Sequence, residues 1–171
     1  MKKSIKLLGI AFTLAFTLIL SSCSSSDDGG GGGGNAALGT IKAKAGSVNF
    51  TSMTAATFAM RQAGMLIIQG SDASGKAIQM MLAGVNAAGT YEISDTAGIS
   101  VIGSYTEVNL SNMTSKTWAA PYEDSGNVGS ITITEITETN VKGNFSFTAK
   151  NQDGADTKQI SNGAFNVNFQ Q

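Results

Sequence analysis

The sequence contains no histidine, only one cysteine and only one proline in 171 residues. Without histidine the chain cannot form a Ser-His-Asp triad or a Cys-His pair, and a lone cysteine leaves no conventional zinc site. Charged residues make up 13% of the chain, against about 25% in a typical soluble protein. With a formal net charge of −1, the composition also argues against nucleic-acid binding. We therefore predict a single domain without cofactor, metal site or enzymatic activity.

The first 22 residues, which are expected to be removed, have the pattern of a secretory signal. Lys2, Lys3 and Lys6 supply positive charge, and an apolar run follows from Leu7 to Leu20. A membrane-spanning helix needs about 20 apolar residues, so this run is too short to span comfortably. It has the length of the hydrophobic region of a signal peptide. Removal of residues 1–22 would leave eight cations against twelve acids.

The apolar run ends in Leu20-Ser21-Ser22-Cys23, which resembles the lipobox of bacterial lipoproteins. The resemblance implies transfer of diacylglycerol to the Cys23 thiol, cleavage between Ser22 and Cys23, and acylation of the new amine with a fatty acid such as palmitate. An ordinary secretory signal that ends near a cysteine is the alternative. Two or three acyl chains would anchor the protein almost permanently, at about 0.8 kcal/mol for each buried methylene. We predict that Cys23 is a lipid attachment point.

Residues 23–37 are predicted to form a flexible tether, because serine, aspartate and six consecutive glycines cannot form a core. The twelve of these residues from Ser24 to Asn35 should span on the order of 20 Å. Ser26-Asp27-Asp28 resembles the surface-export signal of Bacteroidota-type lipoproteins, and the alternative is a solvated acidic spacer. The expected location is the outer membrane, with the cell surface favoured over the periplasmic face.

Residues 38–171 are predicted to form one all-β domain. Ile131-Thr132-Ile133-Thr134 alternates cleanly and the apolar phase then shifts to Ile136, as at a β-bulge. Asn162-Gly163 is predicted to form a turn between two strands. Residues 53–62 are predicted to form a strand, with a helical turn as the alternative. Regularly spaced turn signals indicate eight to ten short strands in an antiparallel β-sandwich or flattened β-barrel.

Several stretches of this domain resemble a family of small Bacteroidota lipoproteins of unknown function. They are the strand with Lys42 and Lys44, Gly89-Thr90-Tyr91, and residues 131–134, 141–149 and 160–167. The resemblance covers most of the chain from about residue 40. Because the matching residues are structural, it implies a fold and an envelope location and brings no catalytic residues.

Trp118 and Tyr122 are candidate ligand contacts. The stretch from Trp118 to Tyr122 is expected to lie in a loop, where an exposed ring could stack on a sugar or contact a partner. Alternatively, Trp118 fills one end of the β-fold. Asn151, Asp153 and Asp156 could ligate calcium on a glycine-containing loop, but they lack the EF-hand spacing and a plain hairpin turn is favoured.

Asp95-Thr96-Ala97 resembles the O-glycosylation sequence of extracytoplasmic Bacteroidota proteins, which makes Thr96 a candidate modification site. Taken together, these features predict a membrane-anchored, non-catalytic binding or interaction module of the cell envelope, with a glycan or an envelope protein as its partner. One alternative is a structural lipoprotein without a soluble ligand. Another is a glycan-active enzyme that uses carboxylates. Glu123 and Asp124 are a possible acid pair, for which a solvated turn is the favoured interpretation.

Overall fold

The structure is a computed structural model that describes residues 35–170. The predictions for the signal segment, the lipidated cysteine and the export signal therefore lie outside the described residues; they concern Ser22, Cys23, Ser26, Asp27 and Asp28. Between residues 35 and 170, no helix has the length and apolar character needed to cross a bilayer.

Eleven β-strands and one short 3₁₀ turn (Thr54–Ala56) make up the regular structure of the described chain. The prediction of an all-β domain is confirmed, with slightly more strands than the eight to ten expected. The stretch at residues 53–62 is a strand only from Thr57 onward. The strands are β1 (Thr40–Ala45), β2 (Val48–Thr51), β3 (Thr57–Gln62), β4 (Met65–Ser71), β5 (Lys76–Ala83), β6 (Gly89–Ser94), β7 (Val101–Asn109), β8 (Thr114–Ala120), β9 (Asn127–Ile136), β10 (Asn140–Asn151) and β11 (Thr157–Asn168).

The strands form one antiparallel sheet that curls into a half-barrel. Along the sheet the order is β2-β1-β11-β10-β8-β7-β5-β4-β3, and β9 lies between β10 and β6. The long strand β10 pairs with β9 over Val141–Phe147 and with β8 at Lys150 and Asn151. The curl brings β3 next to the residues that follow β11. There the Gln170 N–H donates to the carbonyl oxygen of Ala59 in β3 at 2.8 Å.

Apolar side chains on the inner face fill the half-barrel. On β4 and β5 alternate residues are buried, and the paired residues Ile68 and Met80 are fully buried. On β10 and β11 the rings of Phe145 and Phe165 pack with centroids 6.3 Å apart. This alternation is the period of two that a strand with one buried face requires. Since the interior is filled, ligand sites are expected at the ends and on the outer surface of the half-barrel.

The predicted bulge near the end of β9 is confirmed. Lys142 of β10 pairs with Glu135, whereas Gly143 pairs with Ile133, so Thr134 is the extra residue. The bulge changes which face the following side chains occupy, which explains the shift in the apolar phase.

The predicted turn at Asn162-Gly163 is wrong, because β11 continues through both residues. Its pairing with β1 and with β10 shifts by one residue there, and Asn162 has a φ of +52°. The dipeptide therefore forms a bulge within one strand. Asparagine tolerates the left-handed conformation that tight turns and some bulges both use, so the sequence alone does not distinguish the two.

Candidate functional site

One end of the half-barrel carries charged side chains on its inner face. Lys76 on β5, Glu107 on β7 and Lys116 on β8 lie directly opposite one another across the three strands. They border a groove of about 390 Å³, which also includes Ser74, Asn109 and Thr114. We call it the mouth groove.

Trp118 and Tyr105 form the aromatic floor beneath these charges. Their ring centroids are 5.9 Å apart, and the Lys158 Nζ lies 3.8 Å from the centroid of the Trp118 ring. The loop position expected for Trp118 is wrong, because the residue belongs to β8, faces inward like Ala120 and is 2% exposed. Its burial agrees with the alternative interpretation, that Trp118 fills one end of the fold. The ring fills one end of the fold, so direct stacking on a sugar would require it to leave its packed position.

Glu107 links the charged groups to the aromatic floor. Its Oε1 accepts hydrogen bonds from Lys158 Nζ at 2.7 Å and from the Tyr105 hydroxyl at 3.0 Å. Burial alone would raise the pKa of Glu107, but these hydrogen bonds and the nearby lysines lower the pKa below its usual value. Burial, together with the Glu107 carboxylate, raises the pKa of Tyr105. At neutral pH, Glu107 and Lys158 therefore form an ion pair beside the uncharged phenol of Tyr105.

Asp156 closes the hairpin between β10 and β11. Its Oδ2 accepts from Lys116 Nζ at 3.1 Å and Trp118 Nε1 at 3.0 Å, and its Oδ1 accepts from Asn151 Nδ2 at 3.0 Å. Lys116 and then Trp118 lower the pKa of Asp156. Hydrogen-bond donors occupy both carboxylate oxygens of Asp156. The β10–β11 loop is therefore a hydrogen-bonded turn, which is the interpretation favoured over a calcium site. Within residues 35–170, no cluster of three or more His, Cys, Asp or Glu could hold a metal ion.

Tyr122 borders a second groove, on the outer face of the same sheet region. It follows β8 in a loop, as predicted, and its side chain is partly exposed. The groove has a volume of about 320 Å³ and also includes Ala119, Lys150 and Gln152. The Lys150 Nζ lies 5.7 Å from the centroid of the Tyr122 ring. This Tyr122 groove thus combines an aromatic ring, an ammonium group and an amide.

Thr96 lies in an exposed turn immediately after β6, with its Oγ1 3.0 Å from the Ser94 Oγ. Its position leaves it accessible to a modifying enzyme, and its O-glycosylation stays a prediction.

Glu123 and Asp124 are both exposed in the turn after Tyr122. They lie outside both grooves.

The sequence interpretation did not single out Glu107, Lys76 or Lys158. A signal was present on β7, where Glu107 continues the inward phase of Tyr105 and thereby places a charge at an apolar position. No local signal could have identified Lys158, since it reaches Glu107 from a strand 51 residues further along the chain.

Replacement of Glu107 by glutamine should change the pH dependence of stability. The pKa of Glu107 is lower in the folded protein, so its stabilising effect is present above the ordinary pKa of about 4.3 and is lost as pH falls through the folded-state value. Glu107→Gln should therefore have a lower free energy of unfolding at pH 7 and a flatter decline in acid. Urea denaturation from pH 7 to pH 3 measures this, with the exposed Glu123→Gln as the control. Parallel curves for Glu107→Gln and the wild type would contradict it.

Comparison with known proteins places the domain in a family. No curated protein and no solved structure matches the chain. Residues 38–167 match the family described as a domain of unknown function, DUF6252. The matched range begins just before β1 and ends at the second-last residue of β11, so it includes nearly all of the half-barrel and both grooves. The chain belongs to the DUF6252 family.

Proposed function

We propose that this protein is a lipid-anchored lipoprotein of the outer membrane whose β-domain is a non-catalytic binding module. The support for the anchor is the order of features at the N-terminus: Lys2, Lys3 and Lys6, then the apolar run, then Leu20-Ser21-Ser22-Cys23. Surface display is supported by Asp27 and Asp28 directly after the lipidation signal. Nothing in this arrangement requires the domain to carry out a reaction.

The observation that carries the binding role is the Tyr122 groove. A partly exposed aromatic ring can cover the apolar face of a sugar, and polar groups around it can bond to hydroxyls. Lys150 and Gln152 supply such groups along the same groove. Trp118 does not compete for this role, since its ring is buried and covered by Lys158. We therefore propose a glycan of the envelope or its surroundings as the ligand, bound at Tyr122.

A glycan array tests this assignment with the full-length protein. Tyr122→Ala should reduce binding by about tenfold or more, equivalent to about 1.4 kcal/mol, because the stacking surface is removed. Tyr122→Phe keeps the ring and should retain most of the affinity. If wild type binds no glycan, or if Tyr122→Ala binds as well as wild type, the glycan assignment fails. Absence of any ligand would favour the alternative of a structural envelope lipoprotein.

Mass spectrometry and cell fractionation test the anchor. The wild-type protein should begin at Cys23 and carry acyl chains, whereas Cys23→Ala should lack them and remain an uncleaved precursor. Ser24→Ala changes the neighbouring residue and should be lipidated normally. A wild-type protein that is secreted without lipid would contradict the proposal.

Protease treatment of intact cells tests the location. The domain should be digested while periplasmic markers survive, and replacement of both Asp27 and Asp28 by alanine should protect it. A wild-type domain that is digested only after the outer membrane is opened would place it on the periplasmic face.

A further inference from the structure

A row of apolar side chains crosses the outer face of the half-barrel. Met60 on β3 lies opposite Ile67 on β4. Ile67 lies opposite Met81 on β5, and Met81 lies opposite Ile102 on β7. All four side chains are partly exposed, whereas neighbours along the strands, such as Met80, face the core. We call these four residues the Met/Ile row, and its ends are about 14 Å apart at the usual spacing of strands.

The region around the Met/Ile row carries no charge. Among the described residues, every outward position on β3, β4, β5, β7 and β8 has an uncharged side chain. Lys76 on β5 and Glu107 on β7 are on the inner face. Outward positions elsewhere on the sheet do carry charge, as in the pair of Glu135 on β9 and Lys142 on β10. This contrast favours an apolar, uncharged partner surface for the region around the row.

The outer face has no second layer of strands within residues 35–170, because all eleven strands belong to the one sheet. The side chains of the Met/Ile row belong neither to the hydrophobic core nor to the partly buried side chains that pack against it. Apolar side chains in the middle of a sheet face are usually covered by a further layer of structure. An interaction partner would supply that layer here.

The Met/Ile row is complementary to a second copy of itself. Two outer faces can meet about a two-fold axis that lies between them, parallel to the strands and midway between β4 and β5. This axis reverses the order of the strands, so β3 meets β7 of the second copy and β4 meets β5. Met60 then lies opposite Ile102, and Ile67 lies opposite Met81. Each flexible methionine side chain thus meets a stiff, β-branched isoleucine.

The residues on either side of the Met/Ile row match in the same arrangement. On one side Met65 pairs with Ala83, and on the other side Gln69 pairs with Gln79, whose Nε2 donates to Gln69 Oε1 at 2.9 Å. The axis parallel to the strands brings the large Met65 against the small Ala83 of the second copy, and amide against amide. An axis across the strands would instead bring Gln69 against Met65, which would bury an amide on an apolar side chain. The axis parallel to the strands is therefore favoured.

We propose that the Met/Ile row is the centre of a two-fold interface between two copies of this chain. The face spans four strands and covers about 400 Å² per copy, which is half of the roughly 800 Å² that each partner buries in a typical stable complex. The contact is closest at β4 and β5, because the outside of the half-barrel is convex. We therefore expect a dimer that dissociates readily when the protein is dilute. The proposal depends neither on the lipid anchor nor on the glycan site, since Tyr122 follows β8 and lies outside the contact.

Photo-crosslinking of the full-length protein in the cells that produce it tests the proposal. A photoreactive phenylalanine analogue replaces Met60, and two copies with different tags are produced together. Irradiation should give a product that contains both tags, and mass spectrometry should locate the link on β7 near Ile102 of the second copy. The analogue at the exposed Ser146, on the outer face of β10, should give no such product.

Charge substitutions test how the two copies are arranged. With the analogue at Met60, Ile67→Lys should lower the yield of the two-tag product by about tenfold or more, because it buries an unpaired ammonium group against Met81. Met81→Glu should have the same effect, and Ile67→Leu should retain the product. Joint production of Ile67→Lys with Met81→Glu should restore much of the yield, since the two-fold axis places the opposite charges together. Joint production of Ile67→Lys with Met81→Lys should not.

The position of the Met60 link decides the proposal by itself, whether or not every charged variant folds. If Met60 gives no two-tag product, or links only to another protein, the dimer proposal is wrong. A link to β3 of the second copy would place the axis across the strands and would also contradict it. A folded Ile67→Lys protein, with an unchanged circular dichroism spectrum, that crosslinks as well as the wild type would exclude the row from the interface.

Discussion

Gly143→Ala is expected to reduce the free energy of unfolding by about 3 kcal/mol or more, at the upper end of the range for overpacked cores. Gly143 lies in β10 and pairs with Ile133 on one side and Phe165 on the other. A Cβ there would collide with the Thr132 carbonyl oxygen and lie 2.5 Å from the ring of Phe165. Because β10 is hydrogen-bonded to β9 and β11 at this point, neither neighbour can move away cheaply.

Urea denaturation of Gly143→Ala and Gly98→Ala provides the comparison. A Cβ on Gly98 would meet nothing within 4 Å, so its replacement should change stability by no more than about 0.5 kcal/mol. Equal stability of the two variants would mean that the strands around Gly143 can separate without loss. That result would contradict the close approach of β9 and β11 to β10.

Trp118→Ala should be destabilising by about 3–5 kcal/mol, the usual range for removal of a buried tryptophan. The substitution removes the ring that packs on Tyr105 and lies beneath Lys158, and it removes one donor from Asp156. Trp118→Phe keeps an aromatic ring and loses the N–H, so its cost should be smaller, at about 1–2 kcal/mol.

Thermal and urea denaturation of both Trp118 variants check this order. If Trp118→Ala were as stable as the wild type, the ring could not be part of the core. The prediction also affects binding assays, because Trp118→Ala would lose ligand through partial unfolding. Loss of binding is informative only for variants whose circular dichroism is unchanged, and Tyr122→Ala, with a partly exposed side chain, is the better probe.

The positions of many strands could be predicted because strand periodicity is a local property. Ile131 and Ile133 are buried and alternate with less buried threonines, as the sequence pattern indicates. The phase shift before Ile136 correctly located a bulge. At Asn162-Gly163 the same local reasoning was wrong, because the left-handed residue suits a turn or a bulge and the neighbouring strands decide between them.

The two grooves were much less predictable. Tyr122 was identified as a candidate contact, but its neighbours Lys150 and Gln152 reach the groove only because β10 pairs with β8. Trp118 could be interpreted from the sequence as an exposed ligand contact or as a ring that fills one end of the fold, since the short run before Pro121 does not show that β8 continues through it. The ion pair between Glu107 and Lys158 needs β7 and β11 at the same end of the half-barrel.

The sequence by itself determined the all-β class and most strand positions, because hydrophobic alternation and turn residues act over a few neighbouring residues. It also contains the whole basis for the proposed lipid anchor, which depends on a short contiguous motif. Only the tertiary structure decided which charges meet at the mouth groove and that Trp118 is buried. Those features depend on the order and curl of the strands, which bring together residues that are distant in the chain.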